Sequence, residues 1–137
     1  MYEIYEKWPQ IGRESSNENF QKMDFKSIDH IVFAGMGGSG SIGDVIGAIL
    51  SKKDIHVTNV KGYLLPKTVD ENTLVIATSV SGNSIEVLEI LKNVKKMSTK
   101  VIGFSSGGKM ENLCMKNNIH YQKIPMIHSP RASFPKF

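Results

Sequence analysis

Two short stretches of the chain gather hydrogen-bonding groups at a spacing suited to holding an anion. One is "GMGGSG", Gly35 to Gly40, and the other is "SVSGNS", Ser79 to Ser84. Each lies between an apolar β-branched run and a segment with helical periodicity, so each is a strand-to-helix turn. Glycine lets a backbone come close to a ligand, the first N–H groups of a helix have no partner within it, and the helix dipole puts partial positive charge there. Ser39 in the first turn and Ser79, Ser81 and Ser84 in the second add hydroxyl donors. A phosphate held by backbone N–H groups and hydroxyls uses all of these, which makes Gly37, Gly38, Ser39, Ser79, Ser81 and Ser84 the candidate ligands.

Narrower readings of the glycine turn fail on single residues. Gly35, Gly37 and Gly40 satisfy the G-x-G-x-x-G dinucleotide pattern, but that site needs an acid at the end of the next strand, where the chain reads "TNVKG". A P-loop needs Gly-Lys-Ser/Thr at the helix start, and the chain has Gly40-Ser41-Ile42. The structural alternatives are tight strand-to-helix packing at the glycines and capping by Asn83 or Ser84, with Glu86 completing a box. Capping consumes one or two groups of the second cluster and leaves the others available.

The elements that must position these turns follow from period. "HIVFAG" (His30 to Gly35), "IHVTNV" (Ile55 to Val60), "TLVIATS" (Thr73 to Ser79), "KVIGFSS" (Lys100 to Ser106) and "IHYQKI" read as five strands. Helices are expected from Ser39 to Ser51, over "NSIEVLEILKNVKKM", where Ile85, Leu88, Leu91 and Val94 share a face, and over "GKMENLCMKNN". Right-handed connections then give an α/β three-layer sandwich with a five-stranded parallel sheet in the flavodoxin-like order 2-1-3-4-5. In that order the two turns leave neighbouring strands at the switch point, where open α/β sheets bind ligands. Residues 1–28 are expected to form an N-terminal helical segment of one or two helices that includes "SSNENFQKM", residues 29–125 the α/β domain, and residues 126–137 an extended tail.

Composition bounds the rest. A chain of 137 residues with 40% hydrophobic and 22% charged residues fits one globular domain. The net charge of +4 suits an anionic partner, yet the lysines are scattered and no aromatic-basic interleaving of a nucleic-acid surface is present, so no nucleic-acid partner is expected. Cys114 is the single cysteine, which fits a reducing compartment. The start "MYEIYEKWPQ" lacks the regions of a signal peptide, and the apolar runs are too short for a bilayer, so a cytoplasmic protein without membrane contact is expected. The four histidines show no ligand spacing, so neither a metal nor another cofactor is expected.

Taken in order, "GMGGSGSIGD", "SVSGNSIEV", "SSGGKM" and "SPRAS" resemble the sugar isomerase (SIS) domain, and specifically the amino-terminal half of the bifunctional phosphoglucose/phosphomannose isomerases, from about Asp29 to Ser133. The resemblance implies a small-molecule sugar phosphate as ligand, its phosphate on the serines already named, and an arginine near the reacting carbons that falls on Arg131. The family usually has threonine at the position of Ser84 and often an aromatic at that of Val80; the hydroxyl survives at Ser84. The implied reaction is aldose-ketose isomerisation of glucose 6-phosphate or mannose 6-phosphate to fructose 6-phosphate, with Arg131 steadying the enediolate charge.

The resemblance places the family's glutamate base, histidine and lysine in a second SIS domain, and they have no counterpart up to Phe137. Glu86 and Glu89 fit a cap and a solvated helix face, His30, His56 and His120 lie in or beside strands, and His128 alone stands close to Arg131. The expectation is therefore a phosphosugar-binding domain that works as a homodimer or paired with a second SIS domain. The alternative is a non-catalytic phosphosugar sensor or regulatory subunit.

Overall fold

The computed structural model describes residues 2–19 and 22–137. Five parallel strands, β1 (His30–Gly35), β2 (His56–Val60), β3 (Thr73–Thr78), β4 (Lys100–Ser105) and β5 (His120–Lys123), form one sheet in the order β2-β1-β3-β4-β5. The expected α/β sandwich and its order are thus the observed ones, with strand ends within about two residues of those read from period.

β1 runs between β2 and β3 and is buried on both faces. Val32 and Ala34 join the main core with Val75 and Ala77 of β3, while Phe33, pointing the other way, lies beneath the first helix of the domain. That helix, α3 (Gly38–Leu50), packs on β1 and β2; α4 (Ile85–Val94) and α5 (Gly108–Lys116) pack on each other and on the opposite face. α4 contributes Val87, Ile90, Leu91 and Val94 to the core, the stripe that a 3.6-residue period requires. Because α3 carries the chain one way along the sheet and α4 and α5 the other, right-handed crossovers put them on opposite faces. The connection from β2 to β3 contains no helix; it crosses as a loop whose Val69 is buried in the core.

Two expectations about the ends are corrected. The N-terminal helices, α1 (Tyr2–Glu6) and α2 (Trp8–Ser16), reach only the first two residues of "SSNENFQKM", because the polar Ser15-Ser16-Asn17 run ends α2. Phe20 and Gln21 of that stretch lie outside the described residues. The tail, expected to be extended, instead folds back through a turn over residues 128–133 into a short 3₁₀ helix, Phe134–Lys136, against α2. Its cause is local: the buried Ser133 hydroxyl donates to the Ser129 carbonyl at 2.8 Å and accepts the Ile127 N–H at 2.8 Å.

Candidate functional site

The two turns meet where the sequence pattern puts them, above the carboxyl ends of β1 and β3. Gly37 precedes α3 with φ of 54°, a left-handed conformation that costs glycine little. No side chain caps α3; the Met36 carbonyl accepts the Ser39 N–H at 3.1 Å and the Gly40 N–H at 3.4 Å, so the backbone itself closes the first turn. Across the gap Ser84 starts α4 in an extended conformation, and it too makes no side-chain cap. Neither the Asn83 nor the Ser84 cap expected for α4 forms. Two helix N-termini without side-chain caps therefore converge on one cleft of about 360 Å³.

Met36, Gly37, Gly38 and Ser39 form one wall of this cleft, Val80, Ser81 and Ser84 the other, and Pro130 and Arg131 its third side. Of the expected site residues, Gly37, Gly38, Ser39, Ser81, Ser84 and Arg131 are thus brought together, while Ser79 stands behind them at 2% exposure. Ser79 Oγ lies 2.9 Å from Ser84 Oγ and accepts the Ser84 N–H at 3.3 Å, which fixes the Ser84 hydroxyl at the mouth. Ser81 is exposed, and its Oγ accepts the Asn83 N–H at 3.3 Å, leaving the hydroxyl proton to donate outward.

What holds the serine turn is the "SSGGKM" turn after β4. Gly82 has φ of 71°, and a Cβ there would sit 1.8 Å from the Gly107 carbonyl oxygen, so the two backbones touch. Asn83 binds them together: its Nδ2 donates to the Ser81 carbonyl at 3.1 Å, and its Oδ1 accepts the Lys109 N–H at 3.2 Å. Asn83 is thus a cap for α5, the helix after the neighbouring strand. The Ser106 hydroxyl donates to the Val80 carbonyl at 2.6 Å, and the Ser105 hydroxyl bonds Gly107 O and Tyr121 Oη, each at 2.9 Å. Burial pushes the Tyr121 phenol above its ordinary range.

The position where a dinucleotide site needs an acid is held by Lys61, whose Nζ donates to Asp44 on α3 at 2.6 Å. That hydrogen bond holds the Asp44 carboxyl below the usual carboxylate range. Glu89, on α4, pairs with Lys92 at 2.5 Å away from the cleft. His128 shares the Arg131 loop but does not line the cleft. Among the described residues no group of three or more His, Cys, Asp or Glu could hold a metal, and no helix is long and apolar enough to cross a membrane.

A doubly wound sheet with serine-glycine turns at its switch point is the pattern of the SIS domain, and the family model of that description matches residues 24–132. The chain belongs to the SIS domain family. It is 37% identical over 109 residues to the bifunctional phosphoglucose/phosphomannose isomerase of Caldicellulosiruptor bescii, covering 79% of this chain and 32% of that one. It is 27% identical over 136 residues to the D-glucosamine-6-phosphate 4-epimerase of Sulfolobus acidocaldarius, covering 98% and 42%. The fold matches that of the sugar isomerase domain of an RpiR transcription factor from Sphaerobacter thermophilus, with a TM-score of 0.67 at 14% identity over 93% of this chain and 78% of that one. The chain spans about a third of the length of the isomerase relatives it matches, 32% to 37% for the first three.

Proposed function

We propose that this domain binds the phosphate of a hexose phosphate in the cleft between α3 and α4, as part of a phosphoglucose/phosphomannose isomerase type of activity. The observation that carries the reading is the convergence of two helix N-termini that no side chain caps, with Ser39, Ser81 and Ser84 between them, on one cleft flanked by Arg131. The phosphate would accept from backbone N–H groups and hydroxyls, and the guanidinium, whose charge does not titrate away, would face the sugar carbons where enediolate charge develops.

None of the residues lining the cleft among those described is a carboxylate, a histidine or a lysine. Arg131 can stabilise charge but cannot carry a proton between C2 and C1, so an acid-base group from a second domain or a partner must do so. That same lining favours, as a second reading, binding without turnover by this chain, the behaviour of a phosphosugar sensor. In both readings the ligand is the same, and pairing with a second SIS domain separates them.

The test is calorimetric titration with fructose 6-phosphate and with inorganic phosphate, beside an isomerase assay. Saturable binding by the wild type, weakened about tenfold or more in Ser81→Ala as for a hydrogen bond to a charged group, supports the reading. Absence of binding to either ligand removes it. Turnover by this chain as a monomer would refute the argument that the acid-base group comes from elsewhere.

A further inference from the structure

Arg131 is exposed and sits in a turn at the far end of the chain, so something must hold that turn over the cleft. Ser133 and Ser129 close the turn on itself, since Ser133 Oγ bonds Ile127 and Ser129, and Ser129 Oγ accepts the Ala132 N–H at 3.3 Å. Closing a turn fixes its shape and leaves its placement open. The side-chain contacts that place it come from the first residues of the protein. Trp8 Nε1–H donates to the Ala132 carbonyl at 3.1 Å across 124 positions of sequence. The Trp8 ring stacks on Phe134 with centroids 5.9 Å apart and an interplanar angle of 23°. Tyr5 packs edge-on against the indole at 5.0 Å, and Lys136 pairs with Glu18.

We propose that Trp8 is a positioning residue for Arg131: the N-terminal helices serve as the clamp that seats the arginine turn at the cleft. The carbonyl that Trp8 holds belongs to the residue after Arg131, and the Arg131 carbonyl accepts the Phe134 N–H at 3.3 Å, so losing the bond loosens the turn as a unit beside the arginine. Phe134 gives the indole a flat partner on the far side of the same residue, and the two contacts together restrict both position and rotation of the turn. A role for the cleft in phosphosugar binding underlies the part of the test that uses a ligand.

The test has two arms on the full chain. In the first, without ligand, hydrogen exchange is compared between wild type and Trp8→Phe, which keeps an aromatic face and removes the N–H. The amides of Ala132, Ser133 and Phe134 should exchange several-fold faster while those of β3 are unchanged. Unchanged tail amides, or equal acceleration in β3, would overturn the proposal. In the second, fructose 6-phosphate affinity is measured for wild type, Trp8→Phe, Arg131→Ala and the double variant. Trp8→Phe should weaken binding about fivefold, the weight of one neutral hydrogen bond, and should weaken it no further once Arg131 is gone. An equal loss in both backgrounds would show that Trp8 does not act through Arg131 and would sink the idea. If the wild type does not bind fructose 6-phosphate, the phosphosugar reading of the cleft fails and the exchange arm alone decides whether Trp8 holds the turn.

Discussion

Asn83, in the turn after β3, caps the helix after β4 through its Oδ1, which accepts the Lys109 N–H at 3.2 Å. The serine turn and the "SSGGKM" turn are thereby one mechanical piece. Asn83→Ala leaves the Lys109 N–H without its acceptor, while the Gly82 carbonyl keeps the Met110 N–H, and should lower the unfolding free energy by about 1 kcal/mol, read as a lower urea midpoint with an unchanged slope. An unaltered midpoint would mean that solvent replaces the cap without cost.

Gly82→Ala should be far more damaging. A methyl group there would be driven to 1.8 Å from the Gly107 carbonyl, on a backbone with φ of 71°. Left-handed strain plus overpacking cost roughly 2–5 kcal/mol together, and the turn must move to relieve them. Urea denaturation gives the stability loss, and under the proposed function phosphate titration would show the displaced serine turn binding less well; a fully stable Gly82→Ala would contradict the contact.

His30 and His56 stand opposite each other at the start of β1 and β2, with rings 4.8 Å apart and the Thr58 hydroxyl 2.8 Å from His30 Nε2 and 3.2 Å from His56 Nε2. Burial first, and the charge of His56 second, hold the His30 imidazole below its ordinary 6.5. The unfolded chain therefore binds a proton at this site more readily than the native one. The stability contributed is present above 6.5 and is lost as pH falls through the lowered native value. Thermal melts at about pH 7.5 and about pH 5.5 should show a smaller difference for His56→Gln than for wild type. An equal or larger difference in the variant would exclude the His56 contribution, and an equal difference in His30→Gln would exclude His30 itself.

Cys114 is fully buried, and burial pushes its thiol up to about 11. Because the thiolate is the reactive form, a disulfide reagent at mildly alkaline pH should leave the native protein unlabelled and modify one thiol per chain in urea. Rapid labelling of the native protein would show that α5 opens readily.

Much of this could be read from residue types. Periods of two and of 3.6 gave the strands, the helices and the sheet order, because β1, β3 and α4 bury continuous stripes of Val, Ile and Leu. The glycine and serine turns were visible because few other reasons gather such residues at two neighbouring strand ends. The sequence did not disclose Asn83 as the α5 cap. A cap is usually sought in the residues just before its own helix, and this one arrives from 26 positions earlier. The return of the tail was hidden for the same reason. Prolines and a lack of periodicity suggest an extended segment, whereas the fold-back depends on Ser133 and on Trp8, whose partner lies at the other end of the chain. Ser79 has the same residue type as Ser81, and only packing distinguishes the supporting hydroxyl from the exposed one.

The lining of the cleft has a consequence for its response to acid. Apart from Arg131, the lining consists of glycine amides, serine hydroxyls, Met36, Val80 and Pro130, none of which changes charge across the physiological range. If this cleft holds a phosphate ester as proposed, the profile of affinity for this chain against pH would follow the ligand. A phosphate monoester that loses its second proton near pH ~6 would be held more tightly as its dianion, and the half-point of that rise would report the ester and not the protein.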